Sequence, residues 1–111
     1  MDIEYYNIKS ELLKALAHPT RLKIVELVSK KKELCVCEIH EEINLEQSNV
    51  SRHLAVLRRA GILNSRKDGL KAMYSLKEPL VQDMLKTLDK VIVNHFEEQK
   101  AIKNKILEDD K

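Results

Sequence analysis

Residues 36–77 read VCEIHEEINLEQSNVSRHLAVLRRAGILNSRKDGLKAMYSLK. Val36, Ile39 and Ile43 recur at helical spacing, which predicts a short helix over 36–43. Asn44-Leu45-Glu46-Gln47 follows as a tight turn. Ser48 is placed to cap a further helix that runs to about Ala60. Val50, Leu54 and Leu57, spaced four and three, form its expected buried stripe. Gly61 stands one past its end, where a residue of positive φ belongs. Ile62–Lys67 and Leu70–Lys77 read as two strands, with Leu70, Ala72, Tyr74 and Leu76 on one face of the second. Asp68-Gly69 between them is the preferred two-residue hairpin turn. Two helices across a short turn, then a basic hairpin, make a winged helix-turn-helix.

Upstream, Ile8, Leu12, Leu13, Leu16 and Ala17 predict a first helix over 3–17. His18-Pro19-Thr20 breaks it, because proline lacks a donor and pushes its predecessor out of the helical region. A second helix is expected from about 19 to 29, with Lys30, Lys31 and Lys32 at its negative end. Downstream, Pro79 starts a long last helix with Leu80, Met84, Leu88, Val91 and Phe96 among its apolar positions. Residues 99–111 read as a helical extension of it or as a disordered tail. The expected fold class is mainly α with a small β-hairpin.

The chain has 111 residues, 43% hydrophobic and 34% charged, which fits one globular domain over 1–111. Gly 2 and Pro 2 leave few turns, so long helices are expected rather than a sheet-rich sandwich or barrel. The apolar runs fall far short of the roughly 20 residues of a membrane span. The start, MDIEYYNIKSELLK, has no apolar secretory core, so a cytoplasmic protein is expected. The net charge of +2 hides an uneven distribution. Residues 33–46 carry Glu33, Glu38, Glu41, Glu42 and Glu46 and no base. Residues 47–77 carry Arg52, Arg58, Arg59, Arg66, Lys67, Lys71 and Lys77 against Asp68 alone, a net +6. A basic block in a nearly neutral chain suits a polyanion.

The helix over 48–60 can be tested by its geometry, at about 100° per residue. With Val50, Leu54 and Leu57 inward, Ser48, Arg52, Ala55, Val56 and Arg59 point outward, Asn49 lies at the flank and His53 beside the buried stripe. Hydroxyl, amide and guanidinium groups together suit the base edges of a major groove. Arg52 matches a guanine, and Asn49 or Gln47 an adenine. Arg66, Lys67 and Lys71 on the hairpin match phosphates or the minor groove. The candidate DNA-binding residues are therefore Gln47, Ser48, Asn49, Ser51, Arg52, His53, Arg59, Arg66, Lys67 and Lys71. No nucleophile–base pair or phosphate-cradling glycine loop points to an enzyme.

The two cysteines are Cys35 and Cys37. Their spacing is too short for a relaxed structural disulfide, and a cytosolic chain would keep them reduced. A soft-metal or metalloid site, a redox pair and plain burial all remain open. On a regular helix two residues so spaced diverge by roughly 160°, so chelation requires a helix start that is unwound or fixed in a non-helical form.

The run ELCVCEIHEEINLEQSNVSRHLAVLRRAGILNSRKDGLKAMYSL, preceded by LKALAHPTRLKIVELV, resembles the ArsR/SmtB family of metal- and metalloid-responsive repressors. The likeness runs from about Glu11 to Leu76. It implies a winged-helix repressor that dimerises through its first and last helices and binds double-stranded operator DNA, with no membrane partner. The ELCVC run looks like the family's thiolate site, on the first helix of the helix-turn-helix. Its effectors are arsenite and antimonite, or other thiophilic ions such as cadmium and lead, with no cofactor needed for folding. The resemblance implies Cys35 and Cys37 as ligands. His40 stands where a third cysteine can occur, either as a third ligand or as a helix-surface histidine. The family's second site, on the last helix, is matched by His95 and Glu98 but not by Gln82 and Met84, so no zinc site is expected there. Thiol oxidation is an alternative switch, a dithiol redox enzyme a more distant one, and a winged helix used only for protein contacts a third.

Overall fold

The computed structural model describes residues 1–109. In chain order it forms α1 (Ile3–Leu16), α2 (Pro19–Lys31), β1 (Glu33–Cys35), α3 (Val36–Ile43), α4 (Gln47–Arg59), β2 (Leu63–Asp68), β3 (Lys71–Leu76) and α5 (Leu80–Asp109). The chain divides into two units, Met1–Pro79 and the part from Leu80 onward.

In the first unit, Asp2 caps α1 by accepting the Tyr5 N–H. His18 caps α2, its Nδ1 accepting the Thr20 N–H at 3.1 Å, and Pro19 takes the first helical position, where a missing N–H is harmless. Helix α2 runs two residues past the expected end, through Lys30 and Lys31, and its C-cap Lys32 has φ +76°. Ile24, Val25 and Val28 of α2, Ile39 of α3 and Val50, Leu54 and Leu57 of α4 are fully buried, and Ile62 and Leu63 close the same core. The helix-turn-helix pair is in contact, and α2 packs on both of its helices.

Helix α4 starts one residue earlier than expected. Glu46 is its N-cap and makes no side-chain cap bond, while Ser48 lies inside the first turn. The chain has already reversed at Asn44, which holds φ +55° and ends α3, so the helix begins without waiting for a capping hydroxyl. The far end is as expected. Gly61, at φ +78°, donates to Arg58 O, and Ile62 donates to Leu57 O, the paired bonds of a Schellman motif.

The hairpin is part of a three-stranded antiparallel sheet ordered β1-β3-β2. Strand β1 was not expected. It pairs Glu33 with Ser75, Leu34 with Tyr74 and Cys35 with Met73. The hairpin turn is also shifted: Asp68 pairs with Lys71, so the turn residues are Gly69 and Leu70. Gly69 has φ +64° and Leu70 no positive φ, the pattern of a turn with glycine first. Leu70 therefore leaves the strand face assigned to it and is fully exposed at the wing tip.

A polar cluster ties α2 to α4. Arg21 Nε donates to His53 Nδ1 at 3.3 Å, and its Nη1 donates to Ala15 O at 3.2 Å. The His18 and His53 rings lie 4.5 Å apart. Burial first, then the charges of His18, Arg21 and Arg52, hold the His53 imidazole below the usual histidine range.

The second unit is α5, a helix of 30 residues. Residues 99–109 lie within it, which makes the expected extension helical over that stretch; residues 110 and 111 lie outside the described residues. Val81 and Leu85 are buried, whereas Met84, Leu88, Val91, Ile92 and Phe96 are exposed. No helix among the described residues is long and apolar enough to cross a membrane.

These contacts predict contrasting costs. Leu57→Ala empties a fully buried position and should destabilise by about 2–5 kcal/mol, while Leu70→Ala should change stability by less than about 0.5 kcal/mol in urea denaturation. Acid should act through His53. Its stabilising contribution as a neutral group is complete above the usual value of 6.5 and is lost as pH falls through its lower folded value. Between about pH 7 and 5, the wild type should lose more thermal stability than His53→Gln.

Candidate functional site

The thiol pair sits where β1 turns into α3. Cys35 is the last residue of β1 and the N-cap of α3, with extended φ −87° and ψ 167°. Its Sγ accepts the Glu38 N–H at 3.3 Å, and the Glu38 carboxylate accepts the Cys35 N–H at 3.1 Å. This reciprocal capping box satisfies two donors at the helix start. Only Cys37 lies within α3. The resemblance's placement of both cysteines on that helix is therefore corrected, while the helix bounds are as expected and Cys35 has the non-helical form that was one of the two expected alternatives. One cysteine is outside the helix already, and the sulfurs converge with α3 intact.

The two sulfurs are joined in a disulfide, with Cα atoms 5.2 Å apart. That separation lies within the ordinary disulfide range, which corrects the expectation that the spacing is too short for a bridge. On a regular helix Cα atoms two apart are about as near, but their side chains diverge; the extended backbone of Cys35 turns its sulfur toward that of Cys37. Cys35 is buried, Cys37 half-buried and Glu38 exposed, and their ligand atoms lie within 4.8 Å of one another. Glu38 was not among the expected ligands, although its place three residues after the cap carries the capping-box signal. His40 is not in this group. Its Nε2 lies 3.3 Å from the Gln47 amide nitrogen, a contact between α3 and α4.

Along α4, Gln47, Ser48, Ser51, Arg52 and Arg59 are exposed, and Asn49 and His53 are half-buried. Arg52 Nη2 donates to Asn49 Oδ1 at 3.3 Å, so the expected guanine and adenine readers touch each other. His53 is turned toward Arg21 and His18 rather than fully outward.

On the wing, Lys67 and Lys71 are exposed. Arg66 is engaged. Its Nε donates to Glu33 Oε2 at 2.7 Å, and its Nη2 donates to Glu33 Oε1. This two-pronged bond holds the Glu33 carboxyl below the usual carboxylate range and raises the Arg66 guanidinium above its own. Thirty-three residues separate the partners, and no local pattern in the sequence announces the pair. On α5, the His95 ring lies 6.1 Å from that of Phe96.

Known proteins share this fold. The model of the arsR family of bacterial regulatory proteins matches residues 18–65. The HTH-type transcriptional regulator Rv0081 of Mycobacterium tuberculosis is 35% identical over 97 residues, which cover 87% of this chain and 85% of that protein. Its crystal structure superimposes with a TM-score of 0.78, at 36% identity, over 86% of this chain and 95% of its own. The transcriptional repressor PagR of Bacillus anthracis is 41% identical over 91 residues, covering 80% of this chain and 91% of PagR. Its crystal structure gives a TM-score of 0.69 over 78% of this chain and 99% of its own, at 39% identity. The arsenical resistance operon repressor of Escherichia coli is 42% identical over 79 residues, covering 71% of this chain and 68% of that repressor. With its winged helix-turn-helix and these relatives, the chain belongs to the arsR family of DNA-binding transcriptional regulators, which are not enzymes.

Proposed function

We propose that the protein is a homodimeric repressor that acts on operator DNA in the cytoplasm and releases it when a thiophilic metal or metalloid binds Cys35 and Cys37. Arsenite or antimonite is the favoured effector. The observation that carries this reading is the convergence of two sulfurs at the N-cap of α3, the helix that packs directly on α4.

The donor set suits the effector. Once reduced, the pair offers two soft sulfurs from one chain, the chemistry that selects arsenic and antimony over hard cations. Glu38 adds a carboxylate within 4.8 Å. The arsenical resistance operon repressor of Escherichia coli is among the relatives, which supports the effector class. The effector supplies a bond to each sulfur; the rest belongs to the chain. Cys35 Sγ is the acceptor that holds the first turn of α3, so a bond to it alters the charge and lone pairs that cap the helix. Through the α3–α4 contact that change reaches the side chains aimed at DNA. Gln47, Ser48, Asn49, Ser51, Arg52 and Arg59 would read the major groove, with Lys67 and Lys71 on the backbone. His53, tied to Arg21, would set the tilt of α4 at the phosphates rather than read a base.

A second reading keeps the repressor and replaces the effector with oxidation. The Cys35–Cys37 disulfide favours it. Forming that bond from two thiols removes two protons and two electrons, which an external oxidant must accept.

Dimerisation through the first and last helices is supported by apolar side chains left exposed on each. They include Ile3, Ile8 and Leu13 on α1, and Leu88, Ile92 and Phe96 on α5. Ile92→Glu should then sediment as a monomer and bind DNA more weakly.

Fluorescence anisotropy on a duplex selected by the protein from a random pool tests the switch. Under strict reduction, arsenite should weaken wild-type binding by about 5–150-fold, the usual range of site-to-site coupling. The double variant Cys35→Ser/Cys37→Ser should bind DNA and ignore arsenite. Normal release by that variant would sink the thiol reading. Release by an oxidant alone, with no response to arsenite under reduction, would select the second reading.

A further inference from the structure

We propose that Glu33 is an internal stand-in for a DNA phosphate, holding Arg66 so that the wing meets DNA with Lys67 and Lys71 alone. The inference rests on the wing's DNA contact under the proposed function.

Arg66 is a wing cation by sequence and position, in the middle of β2. Both its Nε and its Nη2 are committed to the two oxygens of one carboxylate. That is the same planar, two-pronged geometry with which arginine grips a phosphate. A guanidinium so occupied has these two donors unavailable for a second anion, and its charge is neutralised at contact distance. The pair is half open to solvent, with side-chain exposures of 56% for Arg66 and 30% for Glu33, so without Glu33 a phosphate could reach the guanidinium. Glu33 is not on the wing. It stands on β1, across β3 from Arg66, and is held there by its pairing with Ser75. The competitor is thus carried by a separate strand, the one that ends at Cys35. In the sheet register Arg66 and Cys35 both stand opposite Met73, one on each side of β3.

An exposed ion pair contributes little to folding, so removing it should leave the fold intact. Its effect belongs to binding. Each phosphate neutralised by a protein cation releases counterions and steepens the salt dependence by about 0.9 in log–log slope.

The test measures affinity for a mixed-sequence DNA duplex across a potassium chloride series. Glu33→Gln should bind more tightly than wild type, with a slope steeper by about one per bound wing. Arg66→Gln should match wild type in slope, because Arg66 is already occupied. The double variant Glu33→Gln/Arg66→Gln should return to the wild-type slope, which ties the gain to Arg66 rather than to lost negative charge alone. Lys67→Gln and Lys71→Gln report on the wing itself and should each flatten the slope. If they do and Glu33→Gln does not steepen it, the stand-in proposal alone fails. A flattened slope in Arg66→Gln with no change in Glu33→Gln overturns it too, since Arg66 would then be on DNA despite Glu33. If neither lysine variant changes the slope, the wing does not touch DNA and both readings fall together.

Discussion

Helix α4 is fixed by three side chains, Val50, Leu54 and Leu57, each fully buried. Removing each from water is worth about 1.5–3 kcal/mol, which is large against the total stability of a small domain. Because the three share one stripe, they set the rotation of the helix as well as its position. Everything α4 can show a ligand follows from that rotation: Ser48, Ser51, Arg52 and Arg59 outward, Asn49 and His53 at the margin. The Schellman bonds at Gly61 and Ile62 fix where the helix stops, and the chain then enters β2 through buried Leu63. Helix α4 and the wing are thus set by one continuous apolar anchor.

Strand β1 joins the remaining parts. Its three residues have three different duties. Glu33 engages the wing through Arg66, Leu34 is buried, and Cys35 ends the strand and caps α3. The acidic stretch that carries the thiols and the basic stretch that follows are therefore neighbours in space as well as in sequence. The net charge of the chain conceals this pairing, because the Glu33–Arg66 ion pair takes one partner from each block.

Much of this was legible in the sequence. Periodicity placed all five helices, and Gly61 sat where its positive φ is needed. The parts that were not legible have physical causes. Strand β1 has three residues, two of them buried side by side, so no alternation marks it. Side-chain preference suggested Ser48 as a cap, but the reversal at Asn44 had already started the helix. Asp68-Gly69 suggested a two-residue turn at those two positions. The turn formed instead one residue later, because a one-residue slip would flip every side chain of the strand pair and bring Leu63, 1% exposed, out of the core. At the site, the residue types were readable and their neighbours were not. Arg66 was marked as a cation for DNA, yet its partner is a carboxylate 33 residues away. The bounds of α3 were legible at the Cys-x-Cys run; what the spacing did not announce is the strand β1 that holds Cys35 extended just before the helix.

The choice of cysteine as the cap of α3 bears on what the site can do. Sulfur is a weak acceptor, and serine, aspartate or asparagine would hold the same N–H group better. A side-chain cap is worth about 0.5–2 kcal/mol, and a charge at a helix N-terminus about 0.3–1 kcal/mol more. A transmitted change of 1–3 kcal/mol is about what separates a bound regulator from a released one. Under the proposed function, a sulfur cap weaker than these still falls within reach of the energies a switch requires, with α3 kept folded. A stronger cap would bind the helix start too firmly to be shifted by chemistry at a side chain, and an apolar residue would offer no chemistry at all. Cysteine alone among the twenty residues caps a helix, ligates a soft ion and forms a bond with its own neighbour, and at position 35 its capping bond and its link to Cys37 are both present.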